Sequence, residues 1–363
     1  MLFWDHPSFA RNGDGGLKNL SNLSSSKKKS ADNERHGLMP NNFGMAVIKW
    51  GIPYLNCLNC LLGDFRENEK SNDTMDKKNF LPNWEIRGTI FMRECMKKYL
   101  IVSLKGGVSK TTSAIALATG LKMKHPEAKI LLLETDPTGS IKTQFGLKFS
   151  SSKADYFDFL VDGIPLEEAI NKVQTSSGEI DVVIASRRLA DADVKMASFP
   201  RREETLNLRM KKEADAGGLK YDYLIIDSGP AMSLVLLNSM LYCDNWIIPI
   251  TLDPFCISNI QYVLKQKEII EEFWEAKRTI TGILPTQLDK RFNNINYIDA
   301  IKQGFPNIRI FDGIPTDALI KRAIVKKQLI YDQKASKAGD AYLKFVDEIE
   351  ALWVRKDPFK RQT

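Results

Sequence analysis

Tyr99-Leu100-Ile101-Val102-Ser103-Leu104-Lys105-Gly106-Gly107-Val108-Ser109-Lys110-Thr111-Thr112 carries the strongest signal in the chain. An apolar run of strand length enters a glycine-rich loop. Lys-Thr then opens a helical stretch, Thr111–Lys124, that His125-Pro126 stops. Strand, glycine loop and helix in this order form the P-loop layout. Gly106 and Gly107 permit backbone angles and a close approach that side chains would block. The loop N–H groups and the positive helix end then face phosphate oxygens. On this reading Gly106, Gly107, Val108, Ser109 and Thr112 line the phosphates of ATP. Lys110 contacts the β- and γ-phosphates, and the Thr111 hydroxyl ligates Mg²⁺.

A phosphate loop needs carboxylates to hold the metal and orient a water. Two candidates stand at the ends of apolar runs. Leu131-Leu132-Leu133-Glu134-Thr135-Asp136-Pro137-Thr138-Gly139 places Asp136 just past a strand. Tyr221-Asp222-Tyr223-Leu224-Ile225-Ile226-Asp227-Ser228-Gly229-Pro230 places Asp227 at a strand end, where it would help to hold Mg²⁺. Taken singly, either aspartate could be a helix cap or an ordinary strand end; the order of the three motifs argues otherwise.

From Met96 onward, strand-length apolar runs alternate with helical segments. The expected fold is α/β, a doubly wound, mostly parallel sheet flanked by helices in the manner of P-loop NTPases. Strands are predicted at Tyr99–Leu104, Ile130–Leu133, Ile180–Ala185, Tyr223–Ile226, Trp246–Ile250, Ile280–Leu284 and Ile308–Phe311. A helix over Asn259–Trp274 is predicted, with Ser258 as its cap and Ile260, Val263, Leu264, Ile270, Phe273 and Trp274 on its inner face. The last helix carries Tyr342, Phe345, Val346, Ile349, Leu352 and Trp353 at core spacing.

The chain has 363 residues, 43% hydrophobic and 27% charged, with a net charge of +7. That balance suits a globular protein and permits contact with an anionic polymer without demanding it. Five cysteines at irregular spacing argue against a disulfide framework and for a reducing cytoplasm. Cys57 and Cys60 alone cannot complete a zinc site. Scattered histidines (His6, His36 and His125) offer neither a triad nor a metal cluster. Residues 1–95 lack helical or strand periodicity. They are expected to be a disordered tail or an extension upstream of a start at Met96. The domain proper is placed at 96–355, followed by a basic tail at 356–363.

The loop Lys105-Gly106-Gly107-Val108-Ser109-Lys110-Thr111 resembles the deviant phosphate loop of the ParA/MinD superfamily, KGGxxK[ST]. The family's usual glycine before the second lysine is Ser109 here. Asp136 matches the second aspartate of the family's VDxDPQGN, with Glu134 and Thr138 as departures. Asp227 matches the acid of its YDYIIID segment. The resemblance covers roughly Lys97 to Trp353 and is closest to the ParA type. It implies an ATPase that forms an ATP-dependent homodimer. Lys105 would cross to the partner's nucleotide, and Lys105, Lys110 and Asp136 would support hydrolysis. The loop at Pro315 and Asp317 would lie against adenine. It further implies non-specific DNA binding, with Arg291 of Asp289-Lys290-Arg291 on the backbone. Lys321 and Arg322 would add counterion release. A ParB-like partner, a cytoplasmic and nucleoid-associated location, and a role in plasmid or chromosome partition follow by the same resemblance.

The alternative is a MinD-like ATPase that cycles on membranes or positions a protein cargo. Trp353 and Phe359 would suit a membrane surface, but Pro358 breaks the helix that such a function uses, so a membrane partner is disfavoured. Lys105 argues against a metabolic ligase of the same superfamily.

Overall fold

The computed structural model describes residues 96–148, 153–289 and 294–354. Cys57, Cys60, Arg291, the first 95 residues and the tail 356–363 lie outside the described residues.

Seven strands form one sheet: β1 (Lys97–Ile101), β2 (Ile130–Glu134), β3 (Ile170–Thr175), β4 (Gly178–Val183), β5 (Tyr223–Asp227), β6 (Asn245–Thr251) and β7 (Thr279–Thr286). Their spatial order is β3-β4-β2-β5-β1-β6-β7. Every neighbouring pair is parallel except the β3–β4 hairpin at one edge. The central strands β2 and β5 are buried at every position. This is why they read as unbroken Ile/Leu runs rather than alternating ones.

Helix α1 (Lys110–Lys124) and the C-terminal helix α10 (Lys337–Val354) cover one face. Tyr99, Ile101, Leu117, Leu121, Tyr342, Phe345, Val346 and Ile349 form the core there. Gly120 of α1 admits this packing, because a Cβ at that position would sit 2.7 Å from the Val346 side chain. Helices α5 (Thr205–Asp215), α6 (Leu234–Tyr242) and α7 (Cys256–Trp274) contribute Leu206, Met210, Met240, Ile260 and Val263 to a second core. The shorter α2 (Ser140–Phe145), α3 (Leu166–Ala169) and α4 (Ala192–Met196) lie in the first half of the domain. Helices α8 (Asn294–Gly304) and α9 (Ala318–Lys326) lie in the second.

The α/β expectation holds, with four local differences. Residues 308–311 form a single parallel bridge, Ile283 to Ile310, beside β7 and not a strand. The Ile170–Thr175 strand carries no strand signal in sequence, because Lys172 and Gln174 face solvent on an edge and break its apolar pattern. Helix α7 begins at Cys256, so Ser258 lies inside it and donates to the Phe255 carbonyl instead of capping. Phe273 is exposed rather than inward.

The tyrosine and tryptophan at the two ends of the domain meet. Trp353 Nε1 donates to the Tyr99 hydroxyl, and the rings cross edge to face with centroids 6.5 Å apart. Lys97 Nζ lies 5.2 Å from the Trp353 ring centroid. Trp353 is thus engaged with β1. Among the described residues no helix is long and apolar enough to cross a membrane.

Candidate nucleotide-binding site

The carboxyl ends of β1, β2, β5, β6 and β7 converge on one rim of the sheet, the place where open α/β sheets bind ligands. β1 supplies the loop Lys105–Ser109. Gly106 and Gly107 are exposed there, and nothing lies within 4 Å of where their Cβ atoms would stand. Gly107 has φ +74°, so glycine is the residue the turn needs. Ser109 has φ +62°, left-handed backbone that costs a side-chain-bearing residue on the order of 1 kcal/mol. It precedes α1 without capping it by side chain. The first N–H groups of that helix therefore remain directed at the loop's concavity.

Lys110 is nearly buried, and its ammonium donates to the Lys105 carbonyl at 2.9 Å. Burial lowers its pKa, and Asp227 and Asp136 oppose that shift. Val108 is buried; Thr111 and Thr112 are half-buried at the start of α1.

Asp136 follows β2 and is 9% exposed. Its Oδ1 accepts from Thr138 N at 2.9 Å, which fixes the turn Asp136–Gly139 beside Gly229, where a Cβ would stand 3.7 Å from the Asp136 Cα and Cγ. Glu134 is fully buried beneath this turn. It accepts from Ile141 N at 2.6 Å and Ala185 N at 3.2 Å, tying α2 to the end of β4. Burial pushes its pKa up to about 8, against the pull of those two donors.

Asp227 ends β5 and is fully buried, yet neither carboxylate oxygen has a hydrogen-bond partner. Burial pushes its pKa up to about 7. The Thr111 hydroxyl and the Lys110 ammonium, near enough to favour the anion, limit the rise. The hydroxyl does so without reaching hydrogen-bond geometry. An unpartnered buried carboxylate beside a hydroxyl and a phosphate loop is a fitting donor set for Mg²⁺. Around it, Thr135 Oγ1 donates to the Asp227 carbonyl at 2.9 Å and Ser228 Oγ to the Ile101 carbonyl at 2.8 Å, so three strand ends are stitched together.

Several supports come from positions that carry no motif. Asn259 of α7 accepts from Leu104 N at 3.1 Å and donates to Ser103 Oγ at 2.9 Å, buttressing the loop's entry. Lys105 Nζ donates to Thr251 Oγ1 at 3.0 Å, at the end of β6, and to the Asp253 carboxylate just past it. Within a single chain, Lys105 is therefore held along its own rim. Thr286 at the end of β7 lies 3.2 Å from the Val108 carbonyl.

Pro315 sits in a bridge with Leu288 beside β7. Asp317 caps α9, accepting from Leu319 N at 2.9 Å, and also accepts from Ser336 Oγ at 2.8 Å and Ala338 N at 3.2 Å. Its side chain is thus engaged in joining α9 to α10. Lys321 and Arg322 are exposed on α9.

A family model described as an AAA domain matches residues 96–280, just over half of the chain. The chain belongs to this family of ParA/Soj-type P-loop ATPases. The sporulation initiation inhibitor protein Soj of Bacillus subtilis is 27% identical over 254 residues, covering 69% of this chain and 97% of Soj. The chromosome partitioning protein ParA of Myxococcus xanthus is 27% identical over 264 residues, covering 72% of this chain and 90% of that protein. An ATP complex of a McdA variant from Cyanothece superposes with a TM-score of 0.62 at 24% identity, covering 71% of this chain and 96% of McdA. That last likeness is one of fold. The chain is thus a ParA-type P-loop ATPase, and ATP hydrolysis is the family's chemistry.

Proposed function

We propose that this chain is a Mg·ATP-switched partition ATPase whose ATP-bound dimer binds DNA without reading sequence. What chiefly supports the reading is the joint placement of Lys105, Lys110, Asp136 and the unpartnered Asp227 around one exposed rim. Lys110 and the loop N–H groups bind the phosphates. Thr111 and Asp227 would hold Mg²⁺, which when bound neutralises charge on the β- and γ-phosphate oxygens. Asp136, fixed by its turn, orients the attacking water. Lys105 leaves Asp253 and Thr251 and reaches the nucleotide of a second copy.

The rim has the surface such closure requires. Phe255, two residues beyond Asp253, is 68% exposed, and Met232 projects from the loop after Asp227. Asp193 accepts from Leu234 N at 3.0 Å, which sets Val194, 78% exposed, beside that loop. Exposed apolar side chains around a polar site support the interface reading. Lys321 and Arg322, with Arg291, would carry DNA affinity through phosphate contacts. A ParB-like partner that stimulates hydrolysis, and a cytoplasmic, nucleoid-associated location, complete the reading.

Sedimentation velocity tests the dimer. With Mg·ATP the wild-type chain and Asp136→Ala should sediment as dimers, and Lys105→Ala as a monomer. Dimerisation of Lys105→Ala at the wild-type concentration would refute the cross-subunit role.

A further inference from the structure

Two residues in the left-handed region face each other across the phosphate loop. Ser109 has φ +62° and Gln287, the first residue after β7, has φ +56°. Both carry a Cβ, which disfavours that conformation, and such residues persist where their surroundings over-determine them. The surroundings here are mutual. Gln287 Nε2 donates one hydrogen to the Gly107 carbonyl and lies 3.1 Å from Ser109 Oγ, which accepts the other. One amide thus grips the loop on both sides of Val108. Thr286, its neighbour, reaches the Val108 carbonyl between them.

The arrangement has a consequence for phosphate binding. Ser109 is the last residue before α1, and its backbone sets the direction of the Lys110 and Thr111 N–H groups. Its hydroxyl accepts from Gln287 and makes no cap on the helix, so those N–H groups stay available. Glycine would hold the same backbone without help. Serine needs a partner to hold it.

We propose that Gln287 is a positioning residue for the nucleotide, acting through Ser109: it clamps the phosphate loop in its binding conformation. This rests on the nucleotide site described above. The clamp is a pair, so its two halves are separable. Removing the donor should loosen the loop, and a glycine at 109 should make the donor dispensable.

The experiment titrates the full-length chain, with Mg²⁺, against N-methylanthraniloyl-ADP by fluorescence, with thermal unfolding in parallel. Gln287→Met keeps the length of the side chain and removes its donor. Its Kd should rise about 5- to 10-fold, the loss of one or two hydrogen bonds. The unfolding midpoint should stay within about 2 °C, because Gln287 is exposed. Ser109→Gly alone supplies the reference for the pair. The double variant Gln287→Met/Ser109→Gly should return to within about twofold of that reference. An unchanged Kd in Gln287→Met, or a loss that Ser109→Gly fails to relieve, would overturn the clamp. If the wild type itself did not bind the probe, the nucleotide site would fall, and the clamp with it.

Discussion

At the residue scale, the proposed function assigns binding to some groups of the rim and turnover to another. Lys110 is nearly buried, its charge already offset by Asp227 and Asp136, and its one hydrogen bond is to a carbonyl of the loop that it would trade for phosphate oxygens. The Asp136 side chain accepts from Thr138 N within its own turn, and the Asp136 carbonyl accepts from Gly139 N. Lys110→Ala should therefore weaken nucleotide binding by about 100-fold or more, the loss of charge-assisted bonds. Asp136→Ala should bind ATP within a few-fold of the wild type while turnover falls by about 100-fold. Nucleotide titration and steady-state phosphate release measure the two; equal losses of binding in both variants would contradict the division. Lys110, Thr111, Asp136 and Asp227 were legible from sequence because each stands at a fixed offset from a strand end. Asn259, Asp253 and Thr251 were not. They support the loop from about 150 positions away in the chain, and no local pattern marks a residue whose partner is set by sheet topology.

At the scale of elements, the rim is held by bonds between strand ends and helix starts. Glu134 joins α2 to β4, and Asp317 joins α9 to α10. Asp317 read from sequence as a residue of the adenine loop; its three acceptor bonds give it a capping task within the fold. Asp317→Ala should lower stability by about 2 kcal/mol, as loss of a cap with further bonds does. For a domain of this size that is a fall of about 4–8 °C in the unfolding midpoint. A midpoint unchanged from the wild type would contradict that capping task, and a weakened nucleotide affinity would support the place beside adenine expected from sequence. The central strands were legible because burial on both faces leaves an unbroken apolar run. The β3 edge and the start of α7 were not, since Lys172 and Gln174 need face no core and the turn before α7 is shaped by Asp253 accepting from Phe255 N rather than by Ser258.

At the scale of the whole molecule, the nucleotide loop and the basic helix share a scaffold. Helix α2 follows the Asp136 turn directly, and Gln144 of α2 donates to the Gln328 carbonyl just beyond α9 at 2.7 Å. Gly146, with φ +65°, leaves room there that Lys327 occupies. Lys321 and Arg322 lie on that same α9, so the surface proposed to meet DNA is seated on the element that follows Asp136. The measurement that bears most directly on the account is fluorescence anisotropy of a labelled non-specific DNA duplex. It is titrated with the chain in Mg·ATP, in Mg·ADP and without nucleotide, at two salt concentrations. Binding is expected in ATP alone, weakened at least tenfold by raising salt from about 50 to 200 mM. Binding that is equal in all three states, or absent in ATP, would contradict it.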